Sequence, residues 1–300
     1  MSLPARVTVV EVGPRDGLQN EPAVIAADDK IAFIERLAAA GETAIEAASF
    51  VDPRWVPQMA DAERVMAGIA RRPGVRYSTL VPNIAGLERA LAAGVTEVAV
   101  FAAASETFSR RNINKTIDQS LDVYREVAAR AIAAGVRVRG YVSTAFGCPF
   151  EGAVAPASVA RVAAALVEMG AFEVAVSDTI GIAHPGQVPQ VIAAVAASVP
   201  LERLALHFHD TRGTALANVL TALGLGVAVF DASAGGLGGC PYAPGATGNL
   251  ATEDLVYMLQ GLDIDTGIDL PALLEASAFI ESRLGHPLPS RYYRASQAAR

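Results

Sequence analysis

Short runs of β-branched and aromatic residues alternate along the chain with longer alanine-rich stretches whose apolar positions repeat at helical spacing. The first kind, at 7–12, 43–47, 76–80, 97–101, 137–143, 173–177, 204–208 and 228–232, predicts eight strands. The second, at 28–40, 59–70, 84–93, 117–134, 156–169, 186–198 and 215–223, predicts the intervening helices, with an eighth at 252–259 after a long glycine-rich loop. Gly41, Gly94, Gly135 and Gly170 each follow the end of a predicted helix, where a left-handed turn costs glycine little. Regular strand–helix alternation implies parallel strands joined by right-handed crossovers. Eight such units in about 260 residues fit an α/β protein of the (β/α)8 TIM-barrel class. A doubly wound open sheet is the competing arrangement, but Gly13, Pro14, Arg15, Asp16 and Gly17 stand where its Gly-x-Gly-x-x-Gly turn belongs. The expectation is one catalytic barrel domain over residues 1–300, with a glycine-rich loop after strand eight. Residues 270–300 form a C-terminal extension that includes a helix at 273–284.

Composition narrows the function classes. A formal net charge of −7 argues against a nucleic-acid partner and against a polybasic membrane patch. No apolar run reaches the roughly 18 residues that span a bilayer. The first predicted strand begins so early that a leader peptide finds no room. Cys148 and Cys240, the two cysteines, make no disulfide framework and fit a reducing cytosol. A cytoplasmic enzyme acting on a small molecule is expected.

In a barrel of this class the chemistry gathers where the strands end, and the unexpected polar residues fall there. Arg15 and Asp16 follow strand one, Glu46 ends strand two, Tyr141 and Ser143 end strand five, and Asp178 and Thr179 follow strand six. His207 and His209 close strand seven, and Cys240 and Asn249 lie in the loop after strand eight. Charged groups in apolar strands are costly unless they are paired or bind metal. Residues at i and i+2 on a strand share a face, so both imidazoles of His207 and His209 point into the mouth. A lone histidine is more often structural, whereas such a pair reads as metal ligation. Asp16 is the natural carboxylate partner and Asn249 a neutral oxygen ligand. Two imidazoles, a carboxylate and an amide oxygen leave positions open and suit Mg2+ or Mn2+, although Zn2+ or Co2+ fits the same ligands. Asp210 reads as a cap for the following helix, and Cys148, beside Pro149, as structural. Glu253 and Asp254 open the eighth helix, where carboxylates favour the dipole.

These residues lie in longer motifs: EVGPRDGLQNE at 11–21, IEAASFV at 45–51, NIN at 112–114, RGYVS at 139–143, GCP at 147–149, DTIG at 178–181 and HFHDT at 207–211. The longest is GLGGCPYAPGATGNLATEDL at 236–255. Together they resemble the hydroxymethylglutaryl-CoA lyase family, metal-dependent barrel enzymes related to isopropylmalate and citramalate synthases. The resemblance runs from the first strand to the last loop. It implies cleavage of (S)-3-hydroxy-3-methylglutaryl-CoA, an acyl-CoA, to acetyl-CoA and acetoacetate, a step of leucine breakdown that forms ketone bodies. It implies Asp16, His207, His209 and Asn249 as metal ligands, and Arg15 as the cation that neutralises the developing thioester enolate. It also implies Cys240 as the proton donor and Glu46 as a partner of Arg15 or of the substrate. The base is Asp16 or His207, with the choice open. Gln19, Asn112, Tyr141 and Thr179 are candidate substrate or CoA contacts. Against them stand a locally satisfied strand-end hydroxyl and a solvated basic face around Arg110 and Arg111. A homodimer follows from the resemblance alone.

Arg212 stands where the family usually has tyrosine, Thr214 where it has glutamine, and Pro22 where some members have lysine. The cation at Arg212 is expected to alter which branch at C3 is accepted, so a longer-branched 3-hydroxyglutaryl-CoA is the alternative substrate. A Claisen-condensing synthase is less favoured, because such relatives usually add a regulatory domain and lack the Cys240 loop. The only lysines, Lys30 and Lys115, lie outside the predicted strands, which argues against a Schiff-base aldolase.

Overall fold

The computed structural model describes residues 3–239 and 248–298. Eight parallel strands close into a barrel: β1 (Thr8–Glu11), β2 (Ala44–Ser49), β3 (Arg76–Leu80), β4 (Glu97–Ala103), β5 (Arg137–Ser143), β6 (Glu173–Asp178), β7 (Leu204–Phe208) and β8 (Val229–Ala232). Each pairs with the next, and β8 returns to β1, so no edge is left. One boundary matters for the site. β2 runs on to Ser49, so Glu46 lies mid-strand, where the register against β3 shifts, and not at the strand end. A register shift re-aims a side chain.

Around the barrel lie α1 (Ala27–Ala39), α2 (Ala62–Gly68), α3 (Ile84–Ala92), α4 (Glu106–Ile113), α5 (Ile117–Ala133), α6 (Pro156–Glu168), α7 (Val188–Ala196), α8 (Ala215–Leu223) and α9 (Thr252–Gly261). Their apolar faces meet the outer faces of the strands in one core, in which Phe33, Leu37, Val127, Val162 and Leu166 pack with Ile45, Val98 and Val138. Gly41 ends α1 at φ 100°, and a Cβ there would collide with the carbonyl oxygen of Gly267. Only glycine lets that turn approach the segment leading into α10 (Leu270–Leu284).

The hydrophobic pattern predicts neither α4 nor α11 (Arg291–Ala298). Each is eight residues long and buries one large apolar side chain, Phe108 or Tyr293, too few for a period to show. Capping holds α4 instead: the Ser105 hydroxyl accepts from the Phe108 amide, and Asn114 closes the helix in a left-handed turn. Among the described residues no helix is long and apolar enough to cross a membrane.

The barrel interior differs from the outer core. Leu80, Ala99, Tyr141, Ala175 and Ala205 form a small apolar plug. Arg139, Glu173, Asp231 and Glu46 are buried as well. Strand register makes this tolerable, because it sets Arg139 opposite Glu173 and His207 opposite Asp231. The Arg139 guanidinium donates to Glu173 Oε1 at 2.7 Å, to Asp231 Oδ1 at 2.7 Å and to the Tyr141 hydroxyl at 2.6 Å. A buried ion is stable only when its donors are met in this way.

Candidate active site at the barrel mouth

The chain leaves β1 in a π-helical turn, Gly13–Gly17, that carries Arg15 and Asp16. Glu11, at the strand end, anchors it. Its carboxyl accepts from the Gly13 amide at 2.7 Å, the Ala234 amide at 2.9 Å and the Thr252 hydroxyl at 2.7 Å. Burial pushes the Glu11 carboxyl up to about 7, although these three donors oppose the shift. A Cβ on Gly17 would press on the Ser233 hydroxyl and the Leu237 side chain at 2.8 and 2.9 Å. The turn therefore lies against the loop that follows β8.

Asp16, His207 and His209 offer ligand atoms within 4.8 Å of one another. The His207 and His209 Nε2 atoms face each other at 3.1 Å. His209 stands just past β7 in an isolated bridge to Asn249, while Phe208 between the two histidines packs outward on Phe146. The Asn249 amide group donates to Asp16 Oδ2 at 3.0 Å and to the Leu237 carbonyl at 2.9 Å, which leaves its Oδ1 buried with no partner among the described residues. An orphaned buried acceptor costs about 1–3 kcal/mol. The arrangement fits a divalent cation: two facing imidazole nitrogens, a carboxylate and an unpartnered amide oxygen are the donors such an ion takes.

The electrostatics agree. Burial opposes the charge on Asp16, but Arg15 and the two imidazoles outweigh it and hold the carboxyl down at about 2. Burial and the neighbouring His207 push His209 down to about 3. Near neutral pH both groups are thus in the deprotonated forms that bind metal. His207 is raised: burial works against its charge, but the hydrogen bond and charge of Asp231 prevail.

Beside this cluster, Arg15 is clamped. It donates to Asp16 Oδ1 at 2.5 Å and places two nitrogens on Glu46 Oε2, at 2.6 and 2.5 Å. Tyr141 donates to the same oxygen at 3.3 Å, and its ring centroid lies 5.7 Å from the guanidinium carbon. Glu46 Oε1 is buried with no partner among the described residues. Burial raises the Glu46 carboxyl against the pull of Arg15.

The structure thus brings together Arg15, Asp16, Glu46, Tyr141, His207, His209 and Asn249. Cys240 lies outside the described residues. Gln19 follows the π-helical turn, and its buried Oε1 has no partner among the described residues. Asn112 is exposed on α4. Thr179 accepts from the Thr144 amide at 2.7 Å, a local bond across the loops after β5 and β6. The Asp178 carboxyl accepts from the Ile182 and Ala183 amides at 2.9 and 3.0 Å, and burial pushes it up to about 6. Arg212 and Thr214 grip the same loop: Arg212 Nη1 donates to the carbonyls of Ile180 and Gly181, and Thr214 to that of Ala183. Asp210 is not the N-cap of α8, which is Thr214, but its Oδ1 accepts from the first helical amide, that of Ala215, at 3.0 Å.

Sequence reasoning missed the roles of Arg139, Asp231 and Glu11. The usable signal was a charge inside each of three apolar strand segments, since an isolated one would not be tolerated. It also read Glu253 as a dipole carboxylate, yet that side chain is buried and accepts from the Gly235 amide and the Ser277 hydroxyl.

A closed parallel barrel whose mouth joins a His-x-His pair to a carboxylate and an amide oxygen defines a metal-type (β/α)8 site. The family described as HMGL-like matches residues 6–280, and the chain belongs to it. The Bacillus subtilis hydroxymethylglutaryl-CoA lyase YngG is 54% identical over 97% of each chain. A Pseudomonas aeruginosa protein named 3-hydroxy-3-isohexenylglutaryl-CoA/hydroxy-methylglutaryl-CoA lyase is 55% identical over 98% of each. Among solved structures, a hydroxymethylglutaryl-CoA lyase from Pseudomonas aeruginosa superposes with a TM-score of 0.98, at 54% identity and full coverage of both chains. An HMG-CoA lyase from Acinetobacter baumannii, in complex with coenzyme A and 3-methylmalate, gives a TM-score of 0.93 at 40% identity, covering 98% of this chain and 97% of that one.

Proposed function

We propose that this chain is a carbon–carbon lyase that cleaves 3-hydroxy-3-methylglutaryl-CoA to acetyl-CoA and acetoacetate. The observation that carries the reading is the juxtaposition of a four-donor cluster (Asp16, His207, His209 and Asn249) with an oriented Arg15. Full-length similarity to hydroxymethylglutaryl-CoA lyases supports it.

The reaction makes three demands. The C3 hydroxyl loses a proton, the C2–C3 bond breaks with its electron pair passing into a thioester enolate, and that enolate takes a proton at carbon. C3 becomes the ketone of acetoacetate. A divalent cation, Mg2+ or Mn2+, held by the four donors would act as a Lewis acid that lowers the pKa of the hydroxyl. Of the two candidate bases, Asp16 and His207, Asp16 keeps a free oxygen lone pair when both His207 nitrogens are engaged, and it accepts the proton. Arg15, oriented by Glu46 and Asp16, presents its guanidinium to the thioester oxygen as charge develops there. Cys240, in the glycine-rich segment after β8, donates its thiol proton to carbon, and its thiolate is reprotonated as the base gives up the proton taken from the C3 hydroxyl. Gln19, Asn112, Tyr141 and Thr179 are the proposed substrate and CoA contacts, and the relative solved with coenzyme A supports an acyl-CoA ligand. We place the reaction in cytoplasmic leucine breakdown, carried out by a homodimer.

The name of the Pseudomonas aeruginosa relative favours a second substrate with a longer branch at C3. Both acyl-CoA compounds should be assayed for product with Mg2+ or Mn2+ and after chelation. Cation-dependent acetoacetate from the methyl compound is expected. Turnover of the longer-branched compound alone would overturn the primary reading. Cys240→Ala should keep Mn2+ binding but lose at least about 100-fold in turnover. Wild-type turnover in that variant would remove the donor role.

A further inference from the structure

We infer that Asp231 is a positioning residue that fixes the tautomer and aim of the His207 ring, and that Arg139 locks Asp231 in place. This rests on the reading of His207 as a metal ligand. Asp231 is fully buried on β8, laterally opposite His207 on β7. Its Oδ2 lies 3.1 Å from His207 Nδ1. Both carboxylate oxygens are already held by Arg139, Oδ1 by Nη2 at 2.7 Å and Oδ2 by Nη1 at 3.1 Å. A carboxylate gripped by a guanidinium at both oxygens can only accept. The imidazole must therefore present its proton at Nδ1 and keep its lone pair at Nε2, the atom that faces His209 Nε2.

Arg139 has a second reach. Through the Tyr141 hydroxyl it connects to Glu46 Oε2, the oxygen that clamps Arg15. One buried guanidinium thus stands beneath both halves of the site, the imidazole side and the enolate side. Its remaining nitrogen, Nε, is spent on Glu173, which touches neither half. Outer partners of this kind typically set metal affinity by about 10–100-fold.

That difference between the two carboxylates supplies the test. Metal-free wild type, Asp231→Asn and Glu173→Gln are titrated with Mn2+, and free Mn2+ is read by electron paramagnetic resonance. Both substitutions remove a carboxylate from Arg139, so a merely structural role would move both alike. Affinity should fall about 10–100-fold in Asp231→Asn and stay within about threefold of wild type in Glu173→Gln. Equal losses, or no loss in Asp231→Asn, would overturn the inference. Failure of the wild type to bind Mn2+ would instead remove the metal reading, and the inference with it. Should Asp231→Asn not fold, the ring 15N shifts of His207 in the metal-free wild type, taken above the pH of its titration, decide directly. A proton on Nδ1 supports the assignment, and a proton on Nε2 sinks it.

Discussion

Glu46 shows how much a single oxygen can organise. Its Oε2 receives two nitrogens of Arg15 and the Tyr141 hydroxyl, while Oε1 is buried without a partner among the described residues. Glu46→Gln would weaken the ion pair and loosen the guanidinium without touching any of the four proposed ligands. We expect turnover to fall about 10²- to 10³-fold, the scale for disturbing an oxyanion donor, with Mn2+ affinity nearly unchanged. Steady-state kinetics beside a Mn2+ titration separates the two. Asn249→Ala should do the reverse at the binding step. It removes the unpartnered Oδ1 and the bond to Asp16, so cation affinity should drop tenfold or more by calorimetry. Unaltered affinity would exclude Asn249 from the ligand set. The placement of Glu46 at the site was legible only in part, because it lies mid-strand and the register shift that aims it depends on β3.

At the scale of elements, Glu253 ties α9 to the turn after β8 and to α10. Burial pushes its carboxyl up to about 7, against the Ser277 hydroxyl and backbone amides that favour the charge. Its folded pKa exceeds the ordinary value of 4.5, so the folded state binds the proton more tightly. The associated stability is full below about pH 4.5 and is lost as pH rises through about 7. Glu11, raised the same way, adds to this trend. The melting temperature of the metal-free protein should fall between about pH 5 and pH 8, with up to about 3 kcal/mol traceable to Glu253. Glu253→Gln should flatten that fall in calorimetric scans. Parallel curves for the variant and wild type would show that Glu253 does not carry the effect. The neighbouring Asp254 binds another element, capping α11 through Ser290 and the amides of Arg291 and Tyr292.

For the whole molecule, the C-terminal segment is the open structural question, and its packing answers it. α10 lies along α1, with Arg36 and Arg283 over the Phe279 ring and Arg283 paired to Asp29 at 2.8 Å. It buries Leu270, Leu273, Leu274, Ile280 and Leu284. At about 1.5–3 kcal/mol each, these five side chains contribute on the order of 10 kcal/mol. That is comparable to the entire net stability of a typical domain. We propose that the barrel and its extension form one cooperative unit. Calorimetry should show a single transition for the full chain, and a chain ending at Asp269 should lack cooperative melting. A truncated protein that melts normally would make the extension a separate appendage.

The sequence by itself determined the barrel and the company at its mouth. Strand and helix periods are local properties, each readable within a dozen residues, and eight repeats of them leave one economical architecture. The pairing of His207 with His209 is likewise local, because a strand's pleat sets i and i+2 on one face. The partnerships were decided only in three dimensions. Asp231 meets Arg139 across 92 residues and His207 across 24, and Arg139 meets Glu173 across 34. Those distances are bridged by the register of adjacent strands and by closure of the barrel, which no local pattern encodes. The orphaned Asn249 Oδ1 belongs to the same class, since its burial depends on the loop after β8 meeting the turn after β1.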